Sequence, residues 1–375
     1  MNRLRARTTP ITELDDRTLV RWADLADRAV EPNPFLSPAY LATAPRHLPE
    51  SRDIRLVIVE DDTRMLALVP LSVVDRFRGA PLRYATTAGP FLGNESPLCV
   101  PLVDAERPRE VMGAVLDHLG SRASGLPGLV ELTLMPGDGH WWQVLTGACH
   151  DRRVPLYERY RFERAALRLA DDSVPPRQAL SRSRRRQIAR HGRSLQRELG
   201  PLVLTDRGDD PEAFEEFVEL EAAGWKGDRA HGGGALKVTP GALDWFEDLA
   251  DEMRPRGDLR LHTVTAGSET VYMSIVLRSG KHLYALMDTY DERYARFGPG
   301  TVGRVLEQEH VLEHTDAELF DPCMHPSNAV PTRLYRDRRT ITGVLVAPRG
   351  LAPRAAVRFA VAARRARSLV TRRSG

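Results

Sequence analysis

The sequence predicts an α/β protein of the α+β kind, with two similar domains in tandem, each a mixed, mostly antiparallel sheet flanked by helices. Apolar residues switch between the helical and the strand period along the 375 residues. The second half of the chain partly repeats the order of elements in the first half. In both halves a hairpin is followed by a helix and a further strand, which indicates a crossover onto the same sheet.

The first domain is expected over residues 1–170. A proline near the start of the pattern at 108–119 suits the first turn of a helix. Helical patterns lie at 15–30, 39–44, 108–119 and around Trp141 and Trp142, and strand patterns at 55–59, 65–74, 129–134 and 156–169.

The second domain is expected over residues 171–350, and residues 351–375 are expected to form a basic tail. The hairpin in this half has a short turn that contains Gly267. Helical patterns lie at 181–199, 211–223, 239–253 and 301–314, and strand patterns at 259–265, 271–277, 282–287, 318–321 and 340–346.

Composition favours a cytoplasmic globular protein. The chain is 42% hydrophobic and 28% charged, and no apolar run approaches the roughly 20 residues that span a bilayer. The first residues lack the apolar core of a secretory signal. Cys99, Cys149 and Cys323 are isolated and odd in number, so neither a disulfide framework nor a metal site is expected.

Positive charge is concentrated in two segments. Residues 177–197 contain eight arginines and residues 351–375 contain seven, with no acidic residue in either. The simpler interpretation of the first segment is a solvated helix, and the alternative is a surface for tRNA or another polyanion. The second segment is interpreted as a disordered or self-docked tail, or as a peripheral membrane contact.

The segment from Tyr284 to His310 is the strongest candidate for a ligand site. A strand pattern ends near Asp288, and Gly298 and Gly300 precede a helix. The spacing matches GxGxxG, but residues 288–297 separate the strand from the glycines, whereas a dinucleotide fingerprint needs them directly after it. A helix start with glycines can instead hold a pyrophosphate.

Glu221 is expected on the apolar face of its helix and is followed by Lys226 between two glycines. A carboxylate in that position needs a cation or a hydrated cleft. One interpretation places both residues in a functional cleft. The other is a buried ion pair between them that fixes the loop.

Four segments together resemble one protein family. They are NPFLSPAYL at 33–41, LSRSRRRQIARHGRSLQRELG at 180–200, EAAGWKG at 221–227 and YDERYARFGPG at 290–300. They resemble the BioF2-like, or CelD-like, branch of the GCN5-related N-acetyltransferases (GNAT), which is related to the FemAB aminoacyltransferases. The resemblance covers about residues 15–346 and implies two GNAT-like domains, the second of which binds the acyl donor.

What the resemblance implies about the site is an acyl-CoA or acetyl-CoA donor. Tyr335 would protonate the leaving thiolate, and Glu221 or Asp288 would accept the amine proton. The acceptor cleft would be lined by Trp225, Lys226, Asp321 and Asn328. The donor site would consist of Tyr290, Arg293, Arg296, Phe297, Gly298, Gly300 and Thr301.

Three functions follow as hypotheses. The first is an acyl-CoA-dependent acyltransferase, in particular an N-acetyltransferase, that acts on a small-molecule, glycan or peptide acceptor in cell-envelope or polysaccharide metabolism. The second is a FemAB-like aminoacyltransferase that uses aminoacyl-tRNA. The third is a non-catalytic protein of the same fold that binds an anionic polymer or membrane.

Overall fold

The computed structural model describes residues 3–77, 79, 81–169 and 174–358. Its strands are β1 (Arg5–Pro10), β2 (Arg55–Glu60), β3 (Met65–Val74), β4 (Tyr84–Thr86), β5 (Leu102–Val103), β6 (Val130–Pro136), β7 (Leu156–Arg168), β8 (Leu202–Asp206), β9 (Leu259–Ala266), β10 (Glu269–Ser279), β11 (His282–Tyr290), β12 (Leu319–Asp321) and β13 (Asp337–Val346).

The helices confirm the mixed α/β prediction. They are α1 (Asp16–Asp27), α2 (Pro38–Leu41), α3 (Ala44–His47), α4 (Leu92–Glu95), α5 (Pro108–Gly120), α6 (Gly139–Asp151), α7 (Pro176–Ala179), α8 (Arg182–Leu199), α9 (Pro211–Ala223), α10 (Ala242–Met253), α11 (Pro299–His314) and α12 (Ala329–Thr332).

Two compact units divide the chain differently from the expected domains. One contains residues 1–45, 49–162 and the chain from 340 onward, and the other contains 46–48 and 163–339. Residues 340–350, expected in the second domain, belong instead to the first unit, because β13 pairs antiparallel with β6, with Ile341 opposite Pro136. Of the expected tail, residues 351–358 are helical, and the rest lies outside the described residues.

The first unit contains the strand order β1-β2-β3-β4-β6-β13, with β5 on β3. Only β4 and β6 among these pairs run parallel. Its core includes Trp22, whose indole N–H donates to the Leu36 carbonyl at 2.7 Å. Burial of that ring therefore leaves its polar atom satisfied.

The second unit contains the order β12-β11-β10-β9-β8, and β12 also pairs with the end of β7 at Leu167 and Arg168. The pair β11–β12 is parallel, and the other pairs are antiparallel. Helix α11 contacts β10, β11 and α8, whereas α9 contacts β11. The long helices thus cover the strands that carry the candidate site.

Local sequence explains where the helices of this unit begin. Asp210 accepts the Glu212 N–H at 3.0 Å, and Pro211 occupies the first turn of α9. Gly298 precedes α11 with φ of 60°, a left-handed conformation that glycine adopts without steric cost. A Cβ at Gly298 would also lie 2.5 Å from His191 Nδ1. Both the backbone conformation and this close contact therefore favour glycine at the position.

Strand β12 ends in a fully buried ion-pair cluster. Asp321 Oδ2 lies 2.6 Å from Arg164 Nη2 and 2.9 Å from Arg339 Nη1, while Oδ1 accepts the Cys323 N–H. Burial acts to raise the pKa of Asp321, but the two arginines hold it below its ordinary value. The carboxylate therefore fixes the end of β12.

We expect Asp321→Asn to lower the free energy of unfolding by about 3–5 kcal/mol, because two buried guanidinium groups lose their counter-charge. The matched control is Asp316→Asn, whose carboxylate is 67% exposed and pairs with Arg278; its loss should cost less than about 1 kcal/mol. Urea unfolding measures both. Equal effects of the two substitutions would contradict the structural role of Asp321.

Candidate active site

Strands β11 and β12 separate after a short stretch of pairing. His282, Leu283 and Tyr284 pair with Leu319, Phe320 and Asp321. Beyond Tyr284, β11 continues beside β10, while the chain after β12 turns at Cys323, which has φ of 54°. A gap therefore opens between the end of β11 and the segment that follows β12.

This gap is a cavity of about 370 Å³ in the second unit. Its wall is partly apolar and includes charged and phenolic side chains, which is typical of ligand sites. It is lined by Tyr272, Ala285, Leu286, Met287, Asp288, Arg304, Glu307, Pro322, Cys323, Met324, His325, Asn328, Pro331 and Tyr335. Three of the predicted site residues, Asp288, Asn328 and Tyr335, meet here.

An ion pair joins β11 to α11 at the cavity. Arg304 Nη2 lies 2.6 Å from Asp288 Oδ2, and the Tyr272 hydroxyl donates to the same oxygen at 3.3 Å. Both partners of the ion pair are less than a third exposed. A charge-assisted bond of this length fixes the direction of the Asp288 carboxylate.

Glu307 is the second carboxylate of the cavity and is almost completely buried. Its Oε1 lies 3.0 Å from His262 Nδ1, and its Oε2 accepts the Tyr272 hydroxyl at 3.4 Å. Burial, and then the charges of Glu307 and Asp288, raise the pKa of Tyr272. The phenol therefore keeps its proton and can donate it to one of the two carboxylates at a time.

Tyr335 lies on the wall of the cavity with a hydroxyl that has no hydrogen-bond partner among the described residues. The residue is only 3% exposed. Burial, and then the nearby Glu307, raise its pKa well above the ordinary value of a phenol. A protonated, unpartnered hydroxyl of this kind can donate to a ligand atom inside the cavity.

Glu221 and Lys226 form the buried pair that was the alternative interpretation. Lys226 Nζ lies 3.3 Å from Glu221 Oε1 and donates to the Asp288 carbonyl at 2.6 Å. Glu221 Oε2 accepts the Leu236 N–H at 3.0 Å. Both carboxylate oxygens of Glu221 are hydrogen-bonded, and neither Glu221 nor Lys226 lines the cavity. The pair therefore links α9 to the segment at Leu236 and to β11.

The other predicted acceptor residues are dispersed. Trp225 is 58% exposed, and its backbone N–H donates to Glu292 Oε1 at 2.9 Å. Asp321 is committed to Arg164 and Arg339 and is also absent from the cavity wall. We therefore do not include these two residues in the proposed site.

The predicted donor loop differs from an open anion site. Residues Glu292–Phe297 form a 3-10 helix, and the N–H groups of Thr301 and Val302 donate to the Gly298 carbonyl. Pro299 has no N–H, and Gly300 is buried. Few backbone donors at the start of α11 thus remain for a phosphate, which corrects the expectation of a free loop.

The two arginines of this loop are paired with carboxylates. Arg293 Nη2 lies 2.6 Å from Asp291 Oδ2 and 3.0 Å from Glu269, and Arg296 Nη2 lies 3.1 Å from Glu198. Arg296 also stacks over Phe297 at 4.6 Å. Neither guanidinium is free for a pyrophosphate unless it leaves an acidic partner.

A second cavity of about 530 Å³ lies beside the loop and includes Tyr290 and Arg293. Its wall is strongly acidic, which opposes the binding of a phosphate anion. The carboxylates on this wall are Glu216, Glu219, Glu269, Asp291 and Glu292.

Helix α8 is strongly basic, in contrast to the acidic wall of the second cavity. Its seven arginines form no ion pair with any described residue, and most of them are exposed. By contrast, Arg293 and Arg296 nearby are both paired. The arginines of α8 are Arg182, Arg184, Arg185, Arg186, Arg190, Arg193 and Arg197.

Sequence reasoning missed four residues in and behind the cavity, Tyr272, His262, Arg304 and Glu307. A signal for Glu307 was present, because it follows Gly303 by one helical turn. A Cβ at Gly303 would lie 2.3 Å from the Tyr272 ring, so Gly303 marks the face of α11 that lies on the sheet. A glutamate on that face is buried and needs a polar partner.

No helix within the described ranges is long and apolar enough to cross a membrane. The same part of the chain contains no group of three or more histidine, cysteine or acidic residues arranged to hold a metal ion.

We expect Lys226→Met to leave the Glu221 carboxylate buried without a cation and to loosen the chain around Leu236. Hydrogen exchange of the Leu236 amide, which donates to Glu221, should become at least about tenfold faster, corresponding to about 1.4 kcal/mol less local stability. The control is Lys237→Met, whose pair with Glu219 is exposed on both sides. Unchanged exchange at Leu236 in Lys226→Met would contradict this role.

Comparison with known proteins agrees with this architecture. Residues 182–323 match a family model described as an acetyltransferase (GNAT) domain. No curated protein matches the chain. FemX is 11% identical over 88% of this chain and 95% of its own, with a TM-score of 0.56.

A second structure is the C-terminal domain (DUF2156) of a putative lysylphosphatidylglycerol synthetase from Agrobacterium fabrum. It is 12% identical over 94% of this chain and 96% of its own, with a TM-score of 0.52. At these identities both likenesses concern the fold alone. The chain therefore shares its fold with these two structures, and its match to a GNAT domain lies within the second unit.

Proposed function

We propose that the second unit is an acyltransferase whose reaction takes place in the cavity between β11 and the segment after β12. The observation that carries this proposal is the unpartnered, buried hydroxyl of Tyr335 on the same wall as Asp288, Arg304 and Glu307. The match of residues 182–323 to a GNAT domain supports it.

The geometry suits acyl transfer by addition and elimination. An acyl carbonyl in the cavity would develop negative charge on oxygen, and protein donors directed at that oxygen would stabilise it. In this proposal the Tyr335 hydroxyl protonates the leaving group, since burial raises its pKa and keeps it neutral. Arg304 fixes Asp288 and so keeps the wall in one arrangement.

Acyl-CoA is the first donor candidate, because a GNAT domain matches this unit. Its pyrophosphate would have to displace the acidic partners of Arg293 and Arg296 or use other cations. Acetyl-CoA and longer acyl-CoAs remain donors to be tested, with a small-molecule, glycan or peptide acceptor.

Aminoacyl-tRNA is the second candidate, and the unpaired arginines of α8 favour it. Helix α8 contacts α11, which contributes Arg304 and Glu307 to the cavity. Unpaired guanidinium groups on one helix suit a run of phosphates, because no internal salt bridge must be broken first. The arginines available to aminoacyl-tRNA on α8 are thus unpaired, whereas those expected to bind the pyrophosphate of acyl-CoA are paired with carboxylates.

We expect charged tRNA to be retained on filters with strong salt dependence, and its aminoacyl group to be consumed. Replacing Arg186, Arg190 and Arg193 together with glutamine should reduce the slope of log K against log salt by about 1 for each phosphate that is no longer neutralised. The control replaces Arg5, Arg46 and Arg83, which are exposed but paired with carboxylates.

One outcome separates the two donors, and two further outcomes test the assignment as an acyltransferase. Consumption of acyl-CoA, unaffected by the α8 substitutions, would support the first donor and contradict the second. Consumption of either donor should fall at least about a hundredfold in Tyr335→Phe, in the range typical of removing an acid catalyst. Failure of both donors to be consumed would overturn the assignment as an acyltransferase.

A further inference from the structure

Glu307 and His262 form a polar pair that leads away from the cavity into the second unit. Both side chains are 1% exposed, and Glu307 Oε1 lies 3.0 Å from His262 Nδ1. Glu307 is also part of the cavity wall. The pair thus connects the cavity with buried groups behind it.

We infer that Glu307 accepts the proton that the acceptor loses during acyl transfer, and that His262 is the residue that positions Glu307 for this step. This inference rests on the proposed function. It replaces Glu221 in that role, since Glu221 is held by Lys226 outside the cavity wall, whereas Glu307 is part of that wall.

Of the two carboxylates in the cavity, Glu307 is the one without an arginine or lysine partner among the described residues. Asp288 is bound by the Arg304 cation at 2.6 Å, so a charge-assisted contact must be broken or shared before this carboxylate meets an acceptor ammonium. The partners of Glu307 are a phenol, Tyr272, and an imidazole, His262. Neither carries the fixed positive charge of a guanidinium, so no ion pair with an arginine has to be broken when Glu307 meets the acceptor ammonium.

The local charge also favours uptake of one proton. Among the side chains of the cavity wall, Asp288 and Glu307 provide two carboxylates and Arg304 one guanidinium. A proton on the Glu307–His262 pair would balance this set, and a balanced set is less costly to bury than a charged one. Arg164 and Arg339, which bind Asp321, do not form part of the wall.

The surroundings of His262 allow it to share this proton. His310 on α11 stands edge-on to His262, with ring centroids 5.3 Å apart, and stacks on His314 at 4.7 Å. Burial, together with the neighbouring histidines, lowers the pKa of His310 to about 4, so this ring is neutral near pH 7. No cation at His310 then opposes a proton on His262.

The strand beside His262 contributes no uncompensated charge either. Asp206 on β8 is the cross-strand partner of His262 and is held by Arg260, with Nη1 2.7 Å from Oδ2. On the other neighbouring strand, Ser274 of β10 faces His262 in the register. The charged side chains that face the Glu307–His262 pair without compensation on their own strand are therefore those at the cavity, Asp288 and Arg304.

The chemical step balances without a further reactant. An acceptor ammonium gives one proton to Glu307, and its nitrogen lone pair forms a C–N bond with the acyl carbon. The bond from that carbon to the sulfur or oxygen of the donor breaks. The second proton of the nitrogen goes to the leaving group through the Tyr335 hydroxyl, which donates one proton and receives another. An amide, the protonated leaving group and one proton on the Glu307–His262 pair result.

The test compares Glu307→Gln, His262→Asn and His262→Ala in the transfer reaction with whichever donor is consumed. We expect Glu307→Gln to lower kcat by at least about a hundredfold, in the range typical of removing a general base. His262→Asn can still donate a hydrogen bond to Glu307, so it should retain more activity than His262→Ala. In both His262 variants the rising limb of the pH–rate profile should move.

The control is His282→Asn, because His282 is another largely buried histidine of this unit and lies outside the cavity wall. It should leave the pH profile unchanged. A second readout needs no substrate: the proton NMR signal of the His262 ring N–H should disappear or shift in Glu307→Gln and persist in His282→Asn.

Failure of the inference and failure of the proposed function are distinguishable. If the wild-type protein consumes a donor and Glu307→Gln keeps its rate within about threefold, the inference is overturned while the function stands. If His262→Ala lowers kcat without moving the pH profile, His262 has only a structural role. If no donor is consumed, the function and the catalytic role of Glu307 both fail, and the NMR signal alone reports whether the pair exists.

Discussion

The ion pair between Asp288 and Arg304 is the contact on which the candidate site depends. It joins the end of β11 to α11 where β11 no longer has β12 beside it. This contact is the direct ion pair between the edge of β11 and the face of α11 at the cavity. Tyr272 extends the connection by donating to Asp288 or to Glu307, so that the two carboxylates share one phenol proton.

The opposite chemistry of two neighbouring surfaces bears on which donor the protein uses. Around the loop before α11, the arginines are neutralised and the adjacent cavity is lined with carboxylates. Along α8, the arginines have no ion-pair partner within the described ranges. A guanidinium beside the loop must leave a carboxylate before it can bind a phosphate, whereas an arginine of α8 need not, and this difference is the reason for proposing a polyanion on α8.

Local sequence patterns predicted much of the fold, but they predicted only some of the residues that line the cavity. Helix α9 and strand β11 carry clear periodicities and were predicted close to their observed bounds. Strands β1 and β8 were missed because each pairs with a single described neighbour and lacks a continuous apolar face; Val203 in β8 is 50% exposed. Edge strands of this kind leave little hydrophobic signal.

Asp288, Tyr335 and Asn328 line one cavity, and the sequence pointed to them because each lies near the end of a recognisable element; their roles stay a prediction. His262 and Glu307 were not foreseen, because their contact depends on how α11 lies across the sheet. The pairing of Arg293 and Arg296 with acidic residues also depends on tertiary structure. The role of the predicted donor residues, including Phe297, Gly298, Gly300 and Thr301, stays a prediction.

The most direct test of the central claim is to fill the cavity without altering its polar residues. In Ala285→Phe, the added ring would occupy space between β11 and the segment after β12, and Ala123→Phe at an exposed position of the first unit is the control. If acyl transfer occurs in the cavity, the transfer rate of Ala285→Phe should fall at least about tenfold while retention of the donor, measured on filters, is unchanged. An unchanged transfer rate in a folded Ala285→Phe protein would contradict the account.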